Sequence, residues 1–151
     1  LGLILLLAYG AHLDHRSEAI RMGQWRTARL WLARDRSRPH LLVGDFNALS
    51  QADYATSDLY DRLVAYNQAQ SWGDPEFELI AQVLQAGYVD AFAHNGSCHG
   101  PTWPAQKPEW RIDYIFLPEQ SLPALRRCER WEPALARTAS DHLPLFAEFA
   151  W

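Results

Sequence analysis

The feature that most constrains this chain is a strand that runs directly into polar chemistry. His40-Leu41-Leu42-Val43 leads into Gly44-Asp45-Phe46-Asn47. A short branched-apolar run closed by turn formers reads as a buried strand. An acid and an amide two residues apart at its end make either an ordinary turn or the rim of a site that meets a phosphate or a metal. The arrangement recurs three times. His12 follows the apolar opening LGLILLLAYGA, Asp113 lies inside RIDYIFL, and Asp141-His142 precede the closing segment LPLFAEFAW. Strands of this kind need cover, so the expected class is α/β or α+β, with helices layered on sheet.

The intervening segments supply the helices. Ser17 can cap a helix whose first turn carries Glu18, with Ile20, Ala28, Trp31 and Leu32 as its apolar face and Pro39 beyond its end. A short helix is expected over Asp58–Gln68. Asp74-Pro75-Glu76 reads as a helix start, with Phe77, Ile80, Ala81 and Leu84 at helical spacing and Gly87 as the stop. Tyr88–Phe92 and residues near Arg130–Glu132 read as short strands, and 93–110 as a long loop of the kind that often carries function. The end alternates, with Leu145, Ala147, Phe149 and Trp151 on one face and Phe146, Glu148 and Ala150 on the other.

The 151 residues, without repeat or linker, imply a single domain over 1–151. The opening Ile4–Leu7 run is shorter than the roughly 20 residues of a membrane helix and lacks the basic start of a signal peptide. A chain that begins within a strand reads as the later part of a longer domain, incomplete at its N-terminus. With 48% hydrophobic and 21% charged residues the composition is globular. A net charge of −4 gives no polybasic surface for nucleic acid or membrane, which does not exclude a chain that reaches phosphate through a bound cation. Cys98 and Cys128 form neither a disulfide framework nor a zinc-ligand spacing.

Most of the polar groups have bland readings. Asp45 and Asn47 are turn formers, His12, Asp14 and His15 could be a solvated loop, and Asp141-His142-Leu143-Pro144 a turn into the last strand. Asp113 is harder to dismiss, because an acid between Ile112 and Tyr114 in an apolar strand is costly unless paired. His142 is an available partner.

Taken together, GAHLDH, VGDFN, RIDYIF and SDHLP resemble the motifs of the endonuclease/exonuclease/phosphatase superfamily, the DNase I-like metal-dependent phosphoesterases, in family order from His12 to the C-terminus. The resemblance implies a layered sandwich of central sheets flanked by helices, here without its N-terminal strands. It implies that His142 is the catalytic histidine beside the attacking water, oriented by Asp113. Asp141, with Asp45 and Asn47, would bind a divalent cation, Mg2+ or Mn2+. Asp45 would position or deprotonate the nucleophile, Asn47 would hydrogen-bond the phosphate, and His12 would contact a phosphate oxygen. Trp103 and Arg111 are secondary candidates for substrate contact, Arg111 either facing phosphate or solvating the sheet. The family's upstream Asn and metal-binding Glu have no counterpart in this sequence.

The expected function is therefore metal-dependent phosphoester hydrolysis, with a nucleic acid or a small or lipid phosphodiester as substrate. The alternative, motivated by the missing Asn and Glu, is a truncated, inactive phosphoesterase-like domain that binds or self-associates; an open sheet edge or bare apolar face would favour a homodimer. A zinc hydrolase reading of His12-x-Asp14-His15 lacks the first histidine of its signature and leaves RIDYIF and SDHLP without a role. No Gly-x-Ser-x-Gly supports a serine hydrolase.

Overall fold

The computed structural model describes residues 5–96 and 100–150. Strands β1 (Leu7–His12), β2 (His40–Asp45), β3 (Tyr88–Asp90) and β4 (Asp113–Pro118) form one sheet in the order β1-β2-β4-β3. β1 and β2 are parallel, joined by helix α1 (Glu18–Leu32) as their crossover, while β4 runs antiparallel to both of its neighbours. Helices α2 (Ser57–Ala69) and α3 (Glu78–Gln85) lie between β2 and β3 in sequence, and the short α4 (Ala91–His94) follows β3. Strands β5 (Leu125–Arg130) and β6 (Leu145–Phe149) pair antiparallel in a second sheet, with the short α5 (Ala136–Ala139) in their connection.

Side-chain alternation along β2 and β4 feeds two cores. Leu42, Tyr114 and Phe116 join Trp25 of α1 and Leu79, Ile80 and Val83 of α3 on one face. Leu41, Ile115 and Leu117 join Phe92, Leu125, Cys128 and the inner residues of β6 on the other. The result is helix, sheet and second sheet in layers, the mixed α/β class expected. β6 keeps its predicted alternation, with Leu145, Ala147 and Phe149 half-buried and Phe146 and Glu148 exposed. Among the described residues no helix is long and apolar enough to cross a membrane.

Three elements depart from expectation. In α1 the buried residues are Glu18, Arg21, Trp25 and Leu32, whereas Ile20 and Trp31 are more than half exposed. Glu18 and Arg21 form a buried pair at 2.8 Å, and the Glu18 carboxylate accepts from the Leu79 N–H at 2.6 Å. That bond caps α3, which begins at Glu78 rather than at Pro75 and buries Leu79, Ile80 and Val83. Leu84 is left exposed. The segment after Gly87 is a strand only to Asp90, whose side chain then accepts from the Phe92 and Ala93 N–H groups and starts α4. The last strand of the long C-terminal stretch before α5 ends at Arg130 instead of starting there. Residues 1–4, Cys98 and Trp151 lie outside the described residues. Cys128 is a buried free thiol, pushed up to about 12 by burial.

Candidate active site at the sheet rim

Strand register brings the first three polar groups together. His12 is the neighbour of Asp45 across β1 and β2, and Asp45 is the neighbour of Asp113 across β2 and β4. The His12 Nε2 lies 3.7 Å from Asp45 Oδ2. The connection into β6 supplies the rest. Ala105 donates its N–H to the Asp141 carbonyl and Leu143 donates to the Thr102 carbonyl, both at 2.7 Å. Leu143 is buried, so His142 stands on a loop pinned on either side. Its Nδ1 is 2.9 Å from Asp113 Oδ2. A carboxylate accepts, so Nδ1 carries the proton by assignment and Nε2 is left as the basic nitrogen. The partner that Asp113 required is thus His142.

Asp45 is held by its neighbours. It accepts from the Asn47 backbone N–H at 2.8 Å and from the Asn47 side-chain amide at 3.0 Å. The same amide donates to the Leu13 carbonyl at 2.9 Å. Asn47 has φ 47°, a left-handed conformation that Asn tolerates because its short polar side chain bonds locally. Both amide hydrogens of Asn47 are therefore engaged within the loop. Gly44, just before, has φ 129° and faces Ala11 across the sheet. A Cβ at position 44 would fall 2.1 Å from the Ala11 carbonyl oxygen.

The electrostatics follow first from burial and then from the gathering of carboxylates. Burial raises the Asp45 carboxyl above its ordinary value and the Asp113 charge adds to this, against the Asn47 N–H and the two histidines. Burial pulls the His142 imidazole down. The hydrogen bond to Asp113 and the charges of Asp113, Asp45 and Asp141 outweigh it, so His142 is raised overall.

His12, Asp45, Asn47, Asp141 and His142 line one cleft of about 910 Å3, together with Tyr66, Trp72, Trp103 and Trp110. Asp113 stands behind His142, bordering a neighbouring apolar hollow. Among the described residues no three His, Cys, Asp or Glu side chains gather closely enough to hold a metal ion. Asp45, Asn47 and Asp141 offer hard oxygen donors to the cleft but no closed cage.

Two candidates take other positions. Trp103 forms a β-bridge with Trp110 and lines the cleft. Arg111 does neither of the things expected of it. It is 1% exposed and spans two buried carboxylates, Asp53 at 2.8 Å and Asp90 at 2.6 Å. A buried guanidinium requires such partners, so it holds the start of β4 with its donors turned to Asp53 and Asp90. Sequence reading missed Asp53 and Asp90. The signal available was an arginine leading a strand between apolar and aromatic neighbours. Asp14, the centre of the zinc reading, accepts from the Arg16 and Ser17 N–H groups at 2.9 and 2.8 Å and shapes its own loop.

Comparison with known families places residues 8–142 in the Endonuclease/Exonuclease/phosphatase family. The chain belongs to this family. Its members generally use divalent metal ions. A 3′ phosphatase from Neisseria bound to a product DNA hairpin has a similar structure, with TM-score 0.65 and 23% identity over 95% of this chain and 61% of its own. An AP endonuclease from Archaeoglobus fulgidus is similar with TM-score 0.68 and 18% identity over the same shares. A functionally unknown conserved protein from Enterococcus faecalis V583 is similar with TM-score 0.61 and 22% identity, over 95% of this chain and 49% of its own. These likenesses establish the DNase I-like fold. The family chain described here spans about half to three-fifths of the length of these structures. No protein of curated function matches it.

Proposed function

We propose that this family member hydrolyses a phosphodiester, with His142 as the proton-transfer group and Mg2+ or Mn2+ as cofactor. The observation that carries the reading is the 2.9 Å bond from His142 Nδ1 to Asp113, made across a rim that also holds Asp45 and His12. A carboxylate behind an imidazole fixes its orientation and stabilises the imidazolium that forms when the free nitrogen takes a proton. His142 Nε2 would take the proton of the attacking water, and Asp45 would orient that water. His12, 81% exposed, would donate a ring N–H to a phosphate oxygen.

Asp45 and Asp141 would be the carboxylates that hold the cation, with Asn47 adjoining. Mg2+ and Mn2+ suit such a set because Mg2+ keeps several waters and needs only one or two protein carboxylates. When bound, the cation supplies positive charge to the non-bridging oxygens. Asn47 would have to release one of its two amide bonds to meet a phosphate oxygen. The aromatic wall of Tyr66, Trp72 and Trp103 suits a substrate that carries a nucleobase or another flat group.

The test is hydrolysis of bis-p-nitrophenyl phosphate in Mg2+, Mn2+ or EDTA, beside nicking of supercoiled plasmid. Turnover that needs the cation and is lost in His142→Ala and Asp141→Ala is the expected result. Turnover unchanged in both variants would remove the mechanism. A second reading, a phosphoester-binding domain without turnover, is favoured by the lack of a three-donor metal group among the described residues. It predicts saturable binding of the same ester with no product in either metal.

A further inference from the structure

The opposite end of the four-stranded sheet carries a second cleft. Where β2 begins at His40 and β4 ends at Pro118, a hollow of about 740 Å3 opens between the later half of α1 and Gly87-Tyr88. Leu32, Ala86 and Pro118 give it apolar walls. A fixed polar pair lies against them. Tyr88 hydroxyl and His40 Nε2 are hydrogen-bonded at 2.7 Å, and His40 Nδ1 donates to the Arg38 carbonyl at 2.8 Å.

The rim is cationic. Arg26 and Arg29 lie one turn apart on α1 and both line the hollow. Arg36 approaches from the other side: its Nη2 lies 3.9 Å from the point where a Cβ on Gly87 would fall. The Gln120 side-chain amide donates to the Arg36 carbonyl at 2.9 Å and fastens the turn that carries it. Among the described residues none of these three arginines forms an ion pair. Their neighbours are already engaged, Arg38 with Asp35 and Arg34 over the Trp31 ring. Glu119 is the one carboxylate in the described lining. In a chain of net charge −4, the hollow is a local reversal of sign.

We propose that this basal cleft binds an organic phosphate of mononucleotide size, with the guanidiniums on the phosphate and the apolar wall against the ring. Guanidinium forks match phosphate oxygens two at a time. The volume falls within the roughly 300–1,000 Å3 of small-molecule sites, which are mostly apolar with a few placed polar groups. A nucleic-acid strand calls for a basic stripe along its path; these arginines surround a single hollow. The six residues of β2 put roughly 17 Å between His40 and Asp45, so the occupant is separate from the catalytic cleft and from the hydrolase reading.

Calorimetric titration with AMP tests this, with adenosine, inorganic phosphate and a short single-stranded DNA oligomer as comparison probes. Arg26 and Arg29 are exposed, so Arg26→Glu/Arg29→Glu leaves the core intact, which circular dichroism verifies. The expected result is an AMP site that this double variant weakens about tenfold or more through loss of two charge-assisted contacts. AMP affinity stays unchanged in Asp45→Asn/His142→Ala, and adenosine or phosphate alone binds more weakly than AMP. The proposal is overturned by AMP binding that ignores the arginine variant, by binding that disappears in the catalytic-cleft variant, or by no binding at millimolar AMP. Tighter, arginine-dependent binding of the oligomer would assign the cleft to a nucleic-acid strand and overturn it equally.

Discussion

Arg111 with Asp53 and Asp90, and His142 with Asp113 and Asp45, are built from the same ingredients: one nitrogen base and two carboxylates. In the first group every side chain is nearly sealed from water, at 1%, 5% and 7% exposure. The Arg111 fork meets both Asp53 oxygens and one Asp90 oxygen, while the guanidinium lies 4.4 Å from the Tyr114 ring centre. The second Asp90 contact is with the start of α4. Three of the five guanidinium N–H donors are spent on carboxylates inside the protein. In the second group His142 and Asp113 are 26% and 18% exposed, and one ring nitrogen has no internal partner among the described residues. Burial decides whether such a triad serves as a rivet or stays available for chemistry. The two groups are also joined, because Arg111 is two residues ahead of Asp113 and fixes where β4 begins.

The sharpest way to break this contrast is Arg111→Leu. Two carboxylates would stay buried without their cation, at a cost of about 3–5 kcal/mol, read from urea unfolding. His142→Ala comes next and should divide the two properties. Turnover of the activated diester falls about 10²–10⁴-fold, with unfolding free energy within about 1 kcal/mol of the parent.

Asp113→Asn gives a smaller and more diagnostic effect. It removes the bond and the charge that raise His142, leaving burial, which lowers it. The imidazole should then titrate at lower pH, measured by NMR in EDTA. The sign for stability follows. A raised histidine contributes stability that is fully present below its ordinary value of 6.5 and is lost as pH rises through the raised value. The slope of stability against pH in that window should flatten in Asp113→Asn. Arg127→Ala, which breaks an exposed pair with Glu148, marks the bottom of the scale at about 1 kcal/mol or less by urea unfolding.

Local pattern made much of the fold legible. Leu41–Val43 ran apolar into Gly44, as a strand covered on both faces does, and β6 alternated, because one-sided sheet burial has a period of two. Asp113 was legible as a group in need of a partner, and the partner is His142. The buried face of α1 was not legible. Glu18 and Arg21 look like surface residues until the Leu79 N–H, 61 residues away, takes one of them as its cap. Arg111 misled for the same reason. Its partners lie 58 and 21 residues off, and sequence spacing carries no trace of them. Tyr66 and Trp72 belong to an aromatic wall that only the packing of α2 brings to the cleft.

Gly44 has a consequence for anyone who would re-engineer this protein. Lip residues such as Trp72 or Trp103 can be varied in a library to retarget the cleft, since each lines it from a fixed frame. Position 44 admits no such variation, because even one methyl group there would wedge the two parallel strands apart and carry the lip residues out of alignment. Directed evolution of this scaffold should hold that position constant and spend its diversity on the loops around it.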